Sequence, residues 1–200
     1  MNQKSTVLSQ KQMATLLAML IALMPLSIDA YLPAIPNMAE SLGADIHRIE
    51  QSLSTFLLGV AAGQLVGGSL SDIKGRRVIA LSGLVVFIIA TFGLAAVQTG
   101  EQLLMLRMVQ AFGAGMTVVV VGAVVRDQYE GREAAQMFAL IGIILMIAPL
   151  IAPLAGAGLQ ALGGWRLIFV SLAVYAMVVW GLLLRFVSKP IKIEPLSAGF

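Results

Sequence analysis

Two charged side chains stand inside otherwise apolar runs. Asp29 lies in the run from Met13 to about Ile35, and Arg107 in the run from about Gln102 to Val125. A charge within a membrane-spanning helix costs about 2.5–3.5 kcal/mol on insertion scales, so such residues face a bundle interior and mark ion or substrate pathways. A carboxylate held between burial and a nearby guanidinium changes its protonation when its surroundings change. Asp29 is six residues before the end of its run, and Arg107 is six residues after Glu101. At 1.5 Å per residue both are expected about 9 Å below the same surface, facing each other across the bundle. The pair reads as a proton or cation site; the structural alternative is an ion pair that only fixes helix packing.

A third feature is Gly67–Val78, GGSLSDIKGRRV, with one acid and three bases between two long apolar runs. That charge, so close to two apolar helices, fits a tight cytoplasmic turn between two spans.

The elements that must position these residues follow from composition. The chain is 59% hydrophobic and 12% charged, with mean hydropathy +0.94. Soluble domains run nearer 45–50% apolar and about 25% charged, so a polytopic membrane protein is expected. Residues 1–12 are polar and form an N-terminal segment; six spans fill 13–187; residues 188–200 begin a linker or tail. The first run exceeds the core of a signal peptide and reads as a retained span. The others are expected near 49–70, 78–97, 102–125, 134–159 and 166–187. A polar loop, 36–48, follows the first, and a turn at 98–101 precedes the fourth. Pro25, Pro149 and Pro153 fall inside spans, where neighbouring helices can satisfy the freed carbonyls. Gly59, Gly63 and Gly67, spaced by four, present one smooth face for close helix approach.

Ten of the thirteen Lys and Arg lie in the N-terminal segment, the 71–77 and 126–133 loops and the tail from Arg185. Both termini are therefore expected in the cytoplasm. The bases sit at span ends rather than along one face, which argues against nucleic acid. The absence of cysteine excludes disulfides and thiolate metal sites. His47, in the first loop, reads as solvent-exposed. No HExxH, no paired carboxylates within a span and no nucleophile–His arrangement suggest an enzyme.

An internal echo joins the halves. Gly67-x-x-Leu70-x4-Gly75-x-Arg77 recurs as Gly156-x-x-Leu159-x4-Gly164-x-Arg166 at a constant offset. The first copy ends the second span and the other ends the fifth, on opposite sides, as in an inverted repeat of three spans plus three.

These residues resemble a known family. Gly68-Ser69-Leu70-Ser71-Asp72-Ile73-Lys74-Gly75-Arg76-Arg77 is similar to the signature loop of major facilitator superfamily transporters, with Ile73 where Arg is frequent. Leu104-x-x-Arg107-x-x-Gln110 resembles the fourth-span motif of the drug:proton antiporters, with Ala111 where Gly is usual. Ala148-Pro149-Leu150-Ile151-Ala152-Pro153-Leu154-Ala155-Gly156-Ala157 resembles their fifth-span motif, with Ala for two glycines. Met24 to Pro36, Arg126-Asp127-x-Tyr129 and Gly164-Trp165-Arg166-x-Ile168-Phe169 look most like the bicyclomycin/chloramphenicol-resistance type.

The resemblance implies an all-α membrane fold and proton-driven export of small hydrophobic drugs across the bacterial inner membrane, with no cofactor beyond the proton gradient. It implies that Asp29 and Arg107 couple proton and substrate. Gly68, Asp72, Gly75, Arg76 and Arg77, with Asp127 as partner of Arg76 or Arg77, would latch the cytoplasmic side; alternatively the bases only set topology and bind lipid phosphates. Ala148, Pro149, Ala152, Pro153 and Gly156 would seal the interface between two halves, or merely kink the helix. Met24, Tyr31, Phe112 and Met116 are candidate cavity-lining residues, since Met and aromatic side chains adapt to varied apolar ligands; packing is the alternative. Family members have two six-span halves. Six spans imply a partner half, in one longer chain or in another subunit; the alternatives are an inactive truncated product and a membrane scaffold.

Overall fold

The computed structural model describes residues 10–186, which are helical with short connections and contain no strand. Most of the 1–12 segment, with Lys4, and the whole 188–200 tail, with Lys189 and Lys192, lie outside the described residues. The helices are α1 (Gln10–Asp29), α2 (Ile35–Leu42), α3 (Ile46–Lys74), α4 (Arg76–Ala95), α5 (Gly100–Gln128), α6 (Gly131–Gly163) and α7 (Trp165–Phe186). A 3-10 turn, Leu32–Ala34, joins α1 to α2. Among the described residues six helical stretches are long and apolar enough to cross a membrane, α1 through α2 counting as one.

The expected first span, helical to Ile35, is corrected. Its regular helix stops at Asp29, because proline has no N–H to donate. Pro33 cannot bond the Asp29 carbonyl four residues back, and Pro36 cannot bond that of Leu32. The chain resumes as α2 inside the stretch expected as a polar loop. Connections are also shorter than expected. α3 runs on to Lys74, so the charged turn narrows to Gly75; α5 runs on to Gln128 and begins at Gly100. Asp45 and Thr99 start α3 and α5 as N-caps, accepting the amides of His47 (2.7 Å) and Gln102 (3.3 Å). His47 is exposed, in the first turn of α3 beside Glu50.

α5 is the centre of the bundle: 67% of its apolar window is buried, against 11% for α6. It is central because α3 reaches it along the glycine stripe. A Cβ on Gly59 would lie 2.5 Å from the Met108 carbonyl oxygen and one on Gly67 2.7 Å from Met116 Cα, while one on Gly63 would overlap the Phe112 carbonyl. No larger residue lets these backbones approach so closely.

The echo is visible in three dimensions. α3 packs across on α5, and its counterpart α6 packs across on α1. Gly75 and Gly164 are single-residue breaks between helices, at φ +93° and +75°. The arginines two positions on cap each other's helices. Arg77 Nη2 donates to the Leu184 carbonyl near the end of α7, and Arg166 Nη2 to the Val97 carbonyl just past α4, both at 3.1 Å. The last carbonyls of a helix lack intrahelical partners and carry its negative dipole end, so a guanidinium satisfies both needs. The arrangement is that of two three-span repeats inverted against each other.

Candidate functional site

Arg107 projects from the N-terminal third of α5 into the seam where α5 meets α1. It is fully buried. Its Nη1 donates to the Ser27 carbonyl of α1 (2.9 Å) and to Gln110 Oε1 one turn along α5 (2.8 Å). Its guanidinium carbon lies 4.2 Å from the Tyr31 ring centroid and 4.4 Å from that of Phe56. Such desolvated cation–π contacts are worth about 2 kcal/mol each. Nε and Nη2 are buried without a hydrogen-bond partner.

The Ser27 carbonyl is available because α1 ends two residues later and residue 31 does not close the next helical bond. The Ser27 hydroxyl turns back to the Leu23 carbonyl (2.6 Å), and the Tyr31 hydroxyl is hydrogen-bonded to Ser52 of α3 (2.9 Å). The Gln110 amide continues to Thr91 of α4 (2.9 Å), which donates to the Phe87 carbonyl. A polar chain thus crosses α1, α5 and α4 through a buried interior.

The ion pair that was the structural alternative for Asp29 and Arg107 is not formed. Among the described residues no salt bridge joins Asp29 to Arg107, and Asp29 is half-buried at the last residue of α1. The depth estimate assumed an unbroken helix from Asp29 to Ile35, and the prolines break it there. The structure does bring Arg107 to the same end of α1, two residues from Asp29. Thr91, Ser52 and Phe56 were not singled out from sequence. Thr91 was detectable as a polar residue amid an apolar span, and Gln110 as the i+3 neighbour of Arg107 on one helical face.

A second cluster gathers at the Gly75 break. Arg76 pairs with Asp72 one turn back on α3, with Asp127 at the end of α5 (3.0 Å from Nε) and with the Ser71 hydroxyl. Three helices are tied at one guanidinium. Of the two bases expected to meet Asp127, Arg76 does so and Arg77 does not. Arg48 of α3 and Glu101 of α5 form a matching pair at the opposite end.

The fifth-span motif lies within α6. Ala152 and Gly156 are buried against this same bundle, and a Cβ on Gly156 would overlap the Ala30 carbonyl. They close the α1–α6 contact. Pro149 is exposed, and Ala148 and Pro153 are half-buried. Of the candidate cavity residues, Tyr31 and Met116 are core; Met24 and Phe112 are half-buried beside it. Tyr31 is fixed by Arg107 and Ser52, which is why it is not free to line a cavity here.

The sequence profile of the Major Facilitator Superfamily matches residues 17–199. The chain belongs to the major facilitator superfamily. It is therefore a multi-pass membrane protein of a transporter family and not an enzyme. It is 41% identical over 148 residues to a chloramphenicol resistance protein of Pseudomonas aeruginosa, covering 74% of this chain and 35% of that one. It is 33% identical over 165 residues to the multidrug resistance protein MdtL of Shewanella sp. strain ANA-3, covering 82% and 42%. The human organic anion transporter MFSD10 shares the fold, at TM-score 0.71 and 18% identity, over 90% of this chain and 48% of that structure. The chain thus spans about 35–42% of the length of these curated relatives.

Proposed function

We propose that the chain is the N-terminal six-span half of a proton-coupled drug exporter, with both termini cytoplasmic and the bacterial inner membrane as its location. The observation that carries this reading is the buried Arg107. It is a cation held by neutral partners alone, with two nitrogens open, at the end of α1 where Asp29 lies. Burying a charge without an opposite charge is costly, so an evolved bundle retains one where an anion must be received. Asp29 is the proton-carrying group. When it loses its proton, the open edge of Arg107 is its nearest buried counter-charge. Drug binding and proton binding then compete through one site.

The names of the relatives, chloramphenicol resistance protein and multidrug resistance protein, support small hydrophobic drugs as the cargo. Asp72, Arg76 and Asp127 serve as a latch tying α3, α4 and α5 on the cytoplasmic side, with Gly68 and Gly75 shaping it. The second half docks on the apolar faces left open, among them Ile143, Met146, Leu150 and Leu154 of α6.

The test is drug susceptibility of a sensitive strain expressing residues 1–200 alone, or joined to a second six-span half, with and without an uncoupler. The joined protein is expected to protect, and protection is expected to vanish with the uncoupler or with Asp29→Asn. Full export by Asp29→Asn removes Asp29 from the mechanism. Protection that persists in the uncoupler removes proton coupling. No protection by the joined protein favours an inactive product or scaffold.

A further inference from the structure

The hydrogen bonds around Arg107 have a forced direction. Arginine carries donors and no acceptor, so the atom of Gln110 that faces it must be the amide oxygen. The amide N–H2 then points away, toward Thr91 Oγ1 at 2.9 Å. Thr91 must accept there, and its single proton goes to the Phe87 carbonyl. Each link is set by the one before it, and all four groups, Arg107, Gln110, Thr91 and Ser27, are fully buried. The chain engages only Nη1 of the guanidinium. Nε and Nη2 remain unpartnered. The faces of the guanidinium are covered by Tyr31 and Phe56.

We infer that Gln110 and Thr91 are positioning residues that hold the Arg107 guanidinium by one nitrogen and keep its other edge open as a receptor for a carboxylate. This deepens the reading of Arg107 as part of the coupling site and rests on it. Thr91 acts at two removes, through Gln110, from the neighbouring helix α4. The tether keeps the cation at the end of α1 without a permanent counter-ion. Among the described residues Tyr31 is the titratable side chain in contact with the guanidinium; α3 presents Phe56 to it, and Thr91 of α4 meets Gln110 instead. Without the tether only the Ser27 carbonyl still bonds Nη1, and the direction of the unpartnered edge is no longer fixed.

The test reads the guanidinium directly. The chain is labelled with 15N-arginine in lipid nanodiscs, and Arg107 side-chain resonances are identified by their loss in Arg107→Lys. Wild type is expected to show a slowly rotating guanidinium with resolved Nη signals. Thr91→Val, which keeps the shape and removes the acceptor, is expected to speed that rotation about tenfold, as befits loss of a buried hydrogen bond. Thr91→Ser is expected to restore the wild-type spectrum, and Asp29→Asn to leave it unchanged.

A packing role for Thr91 predicts the reverse order, with Val tolerated and Ser disruptive. Unchanged Arg107 resonances in Thr91→Val overturn the proposal, as does their collapse in Asp29→Asn alone. Gln110→Leu offers a second variant should Thr91→Val fold poorly, with the same expected loss. An absence of drug export sinks the exporter reading and leaves these spectra as they are.

Discussion

Replacing Gly63 by alanine adds one methyl group where α3 crosses α5. That methyl would overlap the Phe112 carbonyl oxygen and lie 2.9 Å from its carbon and 3.0 Å from its Cα. Carbon atoms settle at about 3.5–4.0 Å, so the helices must part by roughly 0.5–1 Å. The obstruction is backbone and cannot rotate aside. Gly59, Gly67 and Gly115 share the seam, so their contacts loosen together. A radial gap of that size forfeits about a quarter to a half of each contact's attraction. Overpacking of this kind costs about 1–3 kcal/mol. At about 2 kcal/mol, Tm falls by about 4–8 °C for a chain of this size. The assay is thermal unfolding of the purified chain in nanodiscs, followed by circular dichroism. Gly142→Ala is the control, since nothing lies within 4 Å of its added methyl. Its Tm should hold or rise, because alanine is the better helix former by about 1 kcal/mol. A Gly63→Ala variant melting with wild type, or a Gly142→Ala variant falling equally, refutes the close-packed seam.

Two further outcomes follow from the inverted pair of breaks and from the latch. Gly75→Ala and Gly164→Ala should each destabilise by about 1–3 kcal/mol through backbone strain alone. Neither added methyl has a neighbour within 4 Å, so thermal unfolding should give similar losses for both. A double-mutant cycle of Arg76→Gln with Asp127→Asn should give a coupling of about 1 kcal/mol that shrinks as salt is added. Arg77→Gln should leave that coupling unchanged, because Arg77 is engaged at the Leu184 carbonyl; a cycle showing Arg77 coupled to Asp127 instead would contradict the placement.

The sequence by itself determined the membrane class, the six spans, the family and the close-packing glycines. Each of these rests on local properties: length of apolar run, spacing by four, position of charge at span ends. It also carried the inverted repeat, through glycines, leucines and arginines matched at a constant offset, while the positive φ of those glycines and the capping by those arginines came from the fold. Tertiary structure decided what each polar group touches. Depth along a helix was read at a constant rise, and the two prolines after Asp29, Pro33 and Pro36, made that count fail. Arg107 was found by its charge, but its partners are a carbonyl, an amide and two rings on three different segments. Gln110 and Thr91 are nineteen residues apart and are joined only because α4 folds back on α5. The small residues of α6 announced a close contact, and the fold chose Ala30, just past α1, as its other side. A side chain's type fixes what it needs; which distant backbone supplies it depends on how the helices cross.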